Sequence, residues 1–407
     1  MRGTRTDELR PRTERRRRAV RITGLVATVL VLAACAQGPI LANPTAPRPV
    51  ASAPTAAPSR APDPVPVVLP RDDRPHDRLT EWWYYTGHLG DDAGGRWGFE
   101  FVIFRAERGS FPVTWASHLA LTDETGGTFH YDQRSEIGPQ VGRSAGPGAG
   151  FALALSGFDA VTGSIPSGAT PWVMSGLDGR DRLLADSPAA GFGLVLDLVA
   201  TRAPALHDTD GYVDFGPAGG SYYYSRTRMI GGGTLRVGDR SLAVQGQAWF
   251  DHQWGDFIAV GGGGWDWFAV NLDDGTDITL SLVRDRSGAY PLVYGTLVEA
   301  GGRVRTLDES AFGVRATGEW TSRRTGAIYP AGWRIELPGE ALVIDLVPTV
   351  ADQELDTRAT TGVVYWEGSQ IVRAWRADRP LGGQAYVELT GYGPTAPPAS
   401  PSPSSAP

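Results

Sequence analysis

Trp265-Asp266-Trp267-Phe268-Ala269-Val270-Asn271-Leu272-Asp273-Asp274-Gly275-Thr276-Asp277-Ile278-Thr279-Leu280-Ser281-Leu282-Val283 reads as a β-hairpin. Two runs rich in aromatic and β-branched residues flank Asp273-Asp274-Gly275. An Asp-Gly pair at that place supplies the positive φ that a tight hairpin turn requires. The same pattern recurs outward in both directions. Trp82–Leu89 and Trp97–Phe104 flank a Gly/Asp turn, and Ser117–Leu121 and Thr128–Tyr131 form another pair. Phe151–Phe158 and Phe192–Val199 alternate apolar with small residues. Thr234–Val237 and Leu242–Ala248 flank Gly238-Asp239-Arg240. Further strands are expected over 292–297, 312–316, 333–337, 342–347, 362–366 and 385–389. No long segment repeats at 3.6 residues, so the expectation is an all-β protein.

The chain has 407 residues, with 53 Gly and 31 Pro. Residues 1–34 read as an export leader: an Arg-rich start, then an apolar run from Ile22 to Ala34 that is too short to span a bilayer. Leu32-Ala33-Ala34-Cys35 resembles a bacterial lipobox, which implies lipidation at Cys35 and an anchored, exported protein. Residues 35–70 form a Pro/Ala-rich tether and 394–407 a Pro/Ser tail. Two β halves are then expected, 71–232 and 233–393, with Gly231-Gly232-Gly233 as a hinge between them.

Composition removes several chemistries. The net charge is −7, and the basic run lies in the leader, so nucleic-acid binding is not expected. The sequence contains no Lys, which excludes Schiff-base chemistry, a P-loop and a Ser-Lys dyad. The single Cys excludes an internal disulfide and a thiolate zinc site. No His spacing matches a metal triad, and no cofactor is implied. Gly142-Arg143-Ser144-Ala145-Gly146 lacks the strand-to-helix context of a nucleophile elbow. Asp208-Thr209-Asp210-Gly211 reads as a surface turn.

Gln247-Ala248-Trp249-Phe250-Asp251-His252-Gln253-Trp254-Gly255-Asp256 concentrates acids, an imidazole and indoles. Asp251 is the candidate acid and His252 its candidate partner. On a strand, Asp251 and Gln253 share one face while Phe250, His252 and Trp254 share the other. The two candidates can therefore meet one ligand only if the strand ends or bulges there, and Gly255 with the Gly261–Gly264 run suggests a break. The competing reading makes both residues structural, bonded to one another at a domain corner. Trp83 and Tyr85 project together, as ligand wall or as core. Arg226 is either a clamp for a ligand carboxylate or a structural ion-pair partner. Glu81 is expected to pair with an Arg.

Seven motifs in order carry a family resemblance. Glu81-Trp82-Trp83-Tyr84-Tyr85-Thr86-Gly87-His88-Leu89, Ser117–Asp123, Tyr222–Met229, Trp249–Gly255, Gly264–Phe268, Val364-Tyr365-Trp366-Glu367-Gly368 and Tyr386–Tyr392 together resemble the lipocalin-like family of AttH-type proteins and carotenoid 1,2-hydratases. The resemblance implies two lipocalin-like β-barrel or sandwich domains in tandem with a ligand site near their junction. It also implies an apolar, isoprenoid-like ligand and hydro-lyase chemistry, the addition of water to a C=C bond. Relatives commonly read Asp-His-Glu-Trp where this chain has Gln253. Candidate ligand contacts are Trp83, Tyr85, His118, Tyr223, Arg226, Trp249, Trp254 and Trp265. A second expectation is a non-catalytic carrier of hydrophobic ligands, partnered with an ABC-type envelope transporter.

Overall fold

The computed structural model describes residues 63–109, 111–138, 142–143, 150–156, 170–257 and 262–394. The leader, Cys35, most of the tether and tail, Gly261 and most of Gly142–Gly146 lie outside them. Among the described residues there are strands and short 3-10 turns but no α-helix. The strands form one antiparallel sheet of thirteen strands, one of eleven and a separate pair. The first sheet runs from Thr80–Asp91 through Arg240–Gly255, and the second from Gly262–Leu272 through Gly383–Thr390.

Both sheets curl until their edges approach, giving two near-closed barrels. In the first, Arg134 on one edge strand donates to the carbonyls of Thr170 at 2.7 Å and Asp186 at 3.0 Å, on the far side of the sheet order. In the second, Arg305 pairs with Glu340 across the opening. Alternation fills each interior. Trp83, Tyr85, Phe99, Phe101, Leu194, Leu196, Phe250 and Trp254 share one apolar core. Phe268, Val270, Leu280, Trp333, Ile335 and Trp366 belong to the other. Burying each such side chain is worth about 1.5–3 kcal/mol.

The outer faces of the two sheets pack together. Tyr84, Val102 and Trp249 of the first meet Trp267, Ala269 and Tyr386 of the second. Polar ties flank this contact: Arg228 to Asp277, Thr122 to Gln353 at 2.8 Å, and His207 to Thr296 at 2.7 Å. The opening hairpin forms as its sequence demands. Gly262–Leu272 pairs with Asp277–Asp285, Gly275 takes φ +88°, and the Asp274 carboxylate accepts the Thr276 N–H at 3.0 Å.

Two expectations change. Gly231–Gly233 is not a hinge but lies inside the strand Gly220–Val237. A Cβ on Gly231 would stand 1.9 Å from the Asp197 carbonyl oxygen, and one on Gly233 1.9 Å from that of Val195. These glycines let neighbouring backbones approach where the sheet coils tightly. The sheets instead divide between Gly255 and Gly262, so Trp249–Gly255 belongs to the first. The end of the tether also differs. Val65, Val67 and Leu69 pack against the first core, and Asp63 pairs with Arg78 at 2.7 Å. Alternating apolar residues hold this segment on the barrel despite its prolines.

Candidate active site between the two sheets

Asp251 lies in the strand Arg240–Gly255, opposite Tyr84 on one neighbour and Ser225 on the other. Its side chain points away from the first barrel's interior and into the contact between sheets. Tyr223 donates its hydroxyl to Oδ2, while Ser225 and the Trp249 indole (2.6 Å) donate to Oδ1. Trp267 of the second sheet donates to the Tyr223 oxygen at 3.1 Å. His207 stacks on Tyr223 with ring centres 3.7 Å apart and bonds to Ser225 at 2.7 Å. Burial pushes that imidazole down to about 3, so it is neutral and offers no counter-charge. Among the described residues no cation pairs with Asp251. Burial pushes its carboxyl up to about 7, although all three donors pull the other way.

Asp251 forms part of the wall of a cavity of about 80 Å³. Trp82, Tyr84, Phe104 and Tyr223 line it from the first sheet, and Trp265, Trp267, Tyr294 and Tyr365 from the second. The space exceeds the ~10–15 Å³ that one water needs and can take more than one water or a slender apolar group. Glu388, also on the wall, accepts the Trp265 indole N–H at 2.9 Å. Burial pushes its carboxyl up to about 7, and the Asp251 charge adds to the effect. Glu100 takes a hydroxyl bond from Tyr365 at 3.2 Å, and Glu367 one from Tyr84 at 2.8 Å. Each leaves its second oxygen buried without a hydrogen bond. Burial first, then repulsion from Glu388, pushes both well above the ordinary carboxylate range, and Glu100 adds to the effect on Glu367. Four carboxyl groups thus share one aromatic region where, among the described residues, none is paired with a cation, and they cannot all ionise together.

Of the sequence candidates, Tyr223, Asp251 and Trp265 line the cavity, and Trp249 backs Asp251. The others lie elsewhere. The strand continues in unbroken register past Asp251 and His252 to Gly255, so the two project to opposite faces and do not converge. His252 points into the first barrel, where its Nε2 lies 2.9 Å from Glu81 Oε1. Glu81 therefore pairs with imidazole rather than with an Arg. Trp83 and Trp254 flank that imidazole, each with ring centres 4.6 Å from it. Tyr85 is core and donates to Asp181 at 2.8 Å. Arg226 is not a ligand clamp; it is buried at 2.8 Å from Asp73 and 3.4 Å from Asp181. His118 bonds to the Tyr365 hydroxyl at 2.8 Å, behind the cavity wall. Glu100, Glu367 and Glu388 escaped sequence reasoning. Their signal was an acidic residue embedded in an apolar strand, and Glu367 and Glu388 stand inside motifs already noted.

A family model described as AttH-like matches residues 60–392. The chain belongs to the AttH-like family. No curated protein matches the sequence. Among solved structures, a candidate AttH from Nitrosomonas europaea shares 29% identity at a TM-score of 0.70, covering 83% of this chain and all of its own. Kievitone hydratase from Nectria haematococca shares 15% identity at a TM-score of 0.61, covering 80% of this chain and 93% of its own. The second likeness concerns the lipocalin-like fold. Within this AttH-like chain, Gln253 lines the cavity and donates to Ser221 at 2.7 Å. Of the acidic residues on the same wall, Glu100 and Asp251 come from the first sheet and Glu388 from the second.

Proposed function

We propose that this AttH-like protein binds an apolar, isoprenoid-like molecule between its two sheets and adds water across a C=C bond. The observation that carries this reading is Asp251, a buried carboxyl with no cation partner in an aromatic cavity wall. Protonated Asp251 gives its proton to one alkene carbon, leaving a carbocation on the other. The indole faces of Trp82, Trp265 and Trp267 stabilise the cation through their π clouds. A water attacks it, and ionised Glu388 takes the proton that this water sheds. The net result is H on one carbon and OH on the other, with one proton passed from Asp251 to Glu388. Returning that proton resets the pair. The kievitone hydratase likeness supports the same reaction class. Cys35 would carry the lipid that anchors the protein outside the cell, so Cys35→Ser should release it from membrane fractions.

The test begins with mass spectrometry of organic extracts from the purified full chain. An unsaturated apolar compound is expected. Incubating it with the protein in ¹⁸O-water should yield a labelled alcohol, and Asp251→Asn should retain binding but lose labelling. Full activity in that variant would sink the assignment. One observation favours a second reading. Three donors already satisfy Asp251, as suits a fixed structural acceptor. A carrier that passes its ligand to an envelope transporter would return the extracted compound unlabelled.

A further inference from the structure

We propose that His76, Glu81 and His252 form a binding site for a divalent first-row transition ion inside the first barrel. This site is separate from the cavity, because His252 and Asp251 project to opposite faces of one strand. The inference therefore stands apart from the hydratase reading. One ligand atom from each of the three residues lies within 4.8 Å of the other two. Glu81 Oε1 is 2.7 Å from His76 Nδ1 and 2.9 Å from His252 Nε2. Glu81 and His252 are fully buried on adjacent paired strands. His76 arrives from the segment between the 3-10 turn Arg71–Asp73 and the strand Thr80–Asp91, with 16% of its side chain exposed.

The nitrogens that now face Glu81, His76 Nδ1 and His252 Nε2, are the ones an ion between the three residues would take. Two imidazoles and one carboxylate are the donor set preferred by zinc, iron, nickel and copper, whereas calcium and magnesium prefer all-oxygen sites. Asp72 Oδ1 stands 3.8 Å from His76 Nε2, where a carboxylate behind a ligating imidazole fixes its orientation. Trp83 and Trp254 screen the cluster from water. The present N···O spacings are hydrogen-bond lengths. Zinc bonds of ~2.0–2.1 Å place tetrahedral donors ~3.4 Å apart, so filling the site requires each imidazole to draw back from Glu81 by roughly 0.5–0.7 Å. His76, outside any strand, is the residue that would make that move. The ion would clasp the segment before the first strand onto the barrel.

Purified full chain is stripped with a chelator and titrated with Co²⁺ and Zn²⁺. One equivalent should bind, the Co²⁺ form should show a four- or five-coordinate visible spectrum, and the melting temperature should rise. Ca²⁺ and Mg²⁺ should do neither. His76→Ala and Glu81→Gln should each weaken binding at least ~10-fold, while His130→Ala should leave it unchanged. X-ray absorption of the wild-type Zn²⁺ form should show imidazole ligation, which settles the matter even if a variant fails to fold. Absence of one-equivalent binding to the wild type, or equal binding by folded His76→Ala, overturns the proposal.

Discussion

At the scale of single residues, burial decides more than identity. Asp251 and His252 are neighbours in sequence, yet one faces an intersheet cavity and the other a closed interior. Asp251→Asn keeps a hydrogen-bond acceptor for Tyr223, Ser225 or Trp249, and hydroxyl rotors can adjust to the new amide. We expect a stability loss of no more than about 2 kcal/mol, read from urea midpoints, beside loss of product labelling. Arg226 behaves oppositely. Its guanidinium satisfies Asp73 and neighbours Asp181, both buried. Arg226→Met should strand those carboxylates and cost about 3–5 kcal/mol. A variant that unfolds at the wild-type urea concentration would refute that role. Asp251 was legible in the sequence because aromatic residues crowd it. The buried partners of Arg226 were not, because Asp73 and Asp181 come from distant, unremarkable segments.

At the scale of strands, alternation correctly separated Trp83 and Tyr85 from Trp82 and Tyr84. It likewise separated Phe250, His252 and Trp254 from Asp251 and Gln253. Side-chain direction is local geometry, so a sequence reveals it once the strand is known. Glycine is ambiguous, because turns and close backbone contacts both require it. Gly233→Ala would drive a methyl group into the Val195 carbonyl and should cost on the order of 3 kcal/mol. Gly238 differs: it has φ +58° and open space around its would-be Cβ. Gly238→Ala should cost only about 1 kcal/mol, from backbone strain alone. Thermal melts of the two variants compare these directly. Equal losses would contradict the close-approach account of the Gly231–Gly233 run.

At the scale of the whole molecule, folding gathers carboxyl groups that water would keep apart. Glu388 titrates near 7 when folded, above the ordinary Glu value of 4.5. The folded state thus holds this proton more tightly than the unfolded chain. Its contribution to stability is greatest below about pH 4.5, declines through pH 7 and is level above that. Across the window the change is on the order of 3 kcal/mol. Glu388→Gln should flatten the fall in urea midpoint between pH 5 and pH 8, and an unchanged slope would show that Glu388 ionises freely. By itself the sequence determined the all-β class, the strand faces, the family motifs and Asp251 as an acid among aromatics. Those follow from period-two patterning and near-neighbour chemistry. Tertiary structure alone decided that Glu100, Glu367 and Glu388 crowd the same region as Asp251, and that His76 meets Glu81 and His252. Such encounters depend on how sheets curl and pack, which brings together residues whose separation along the chain carries no trace of their contact.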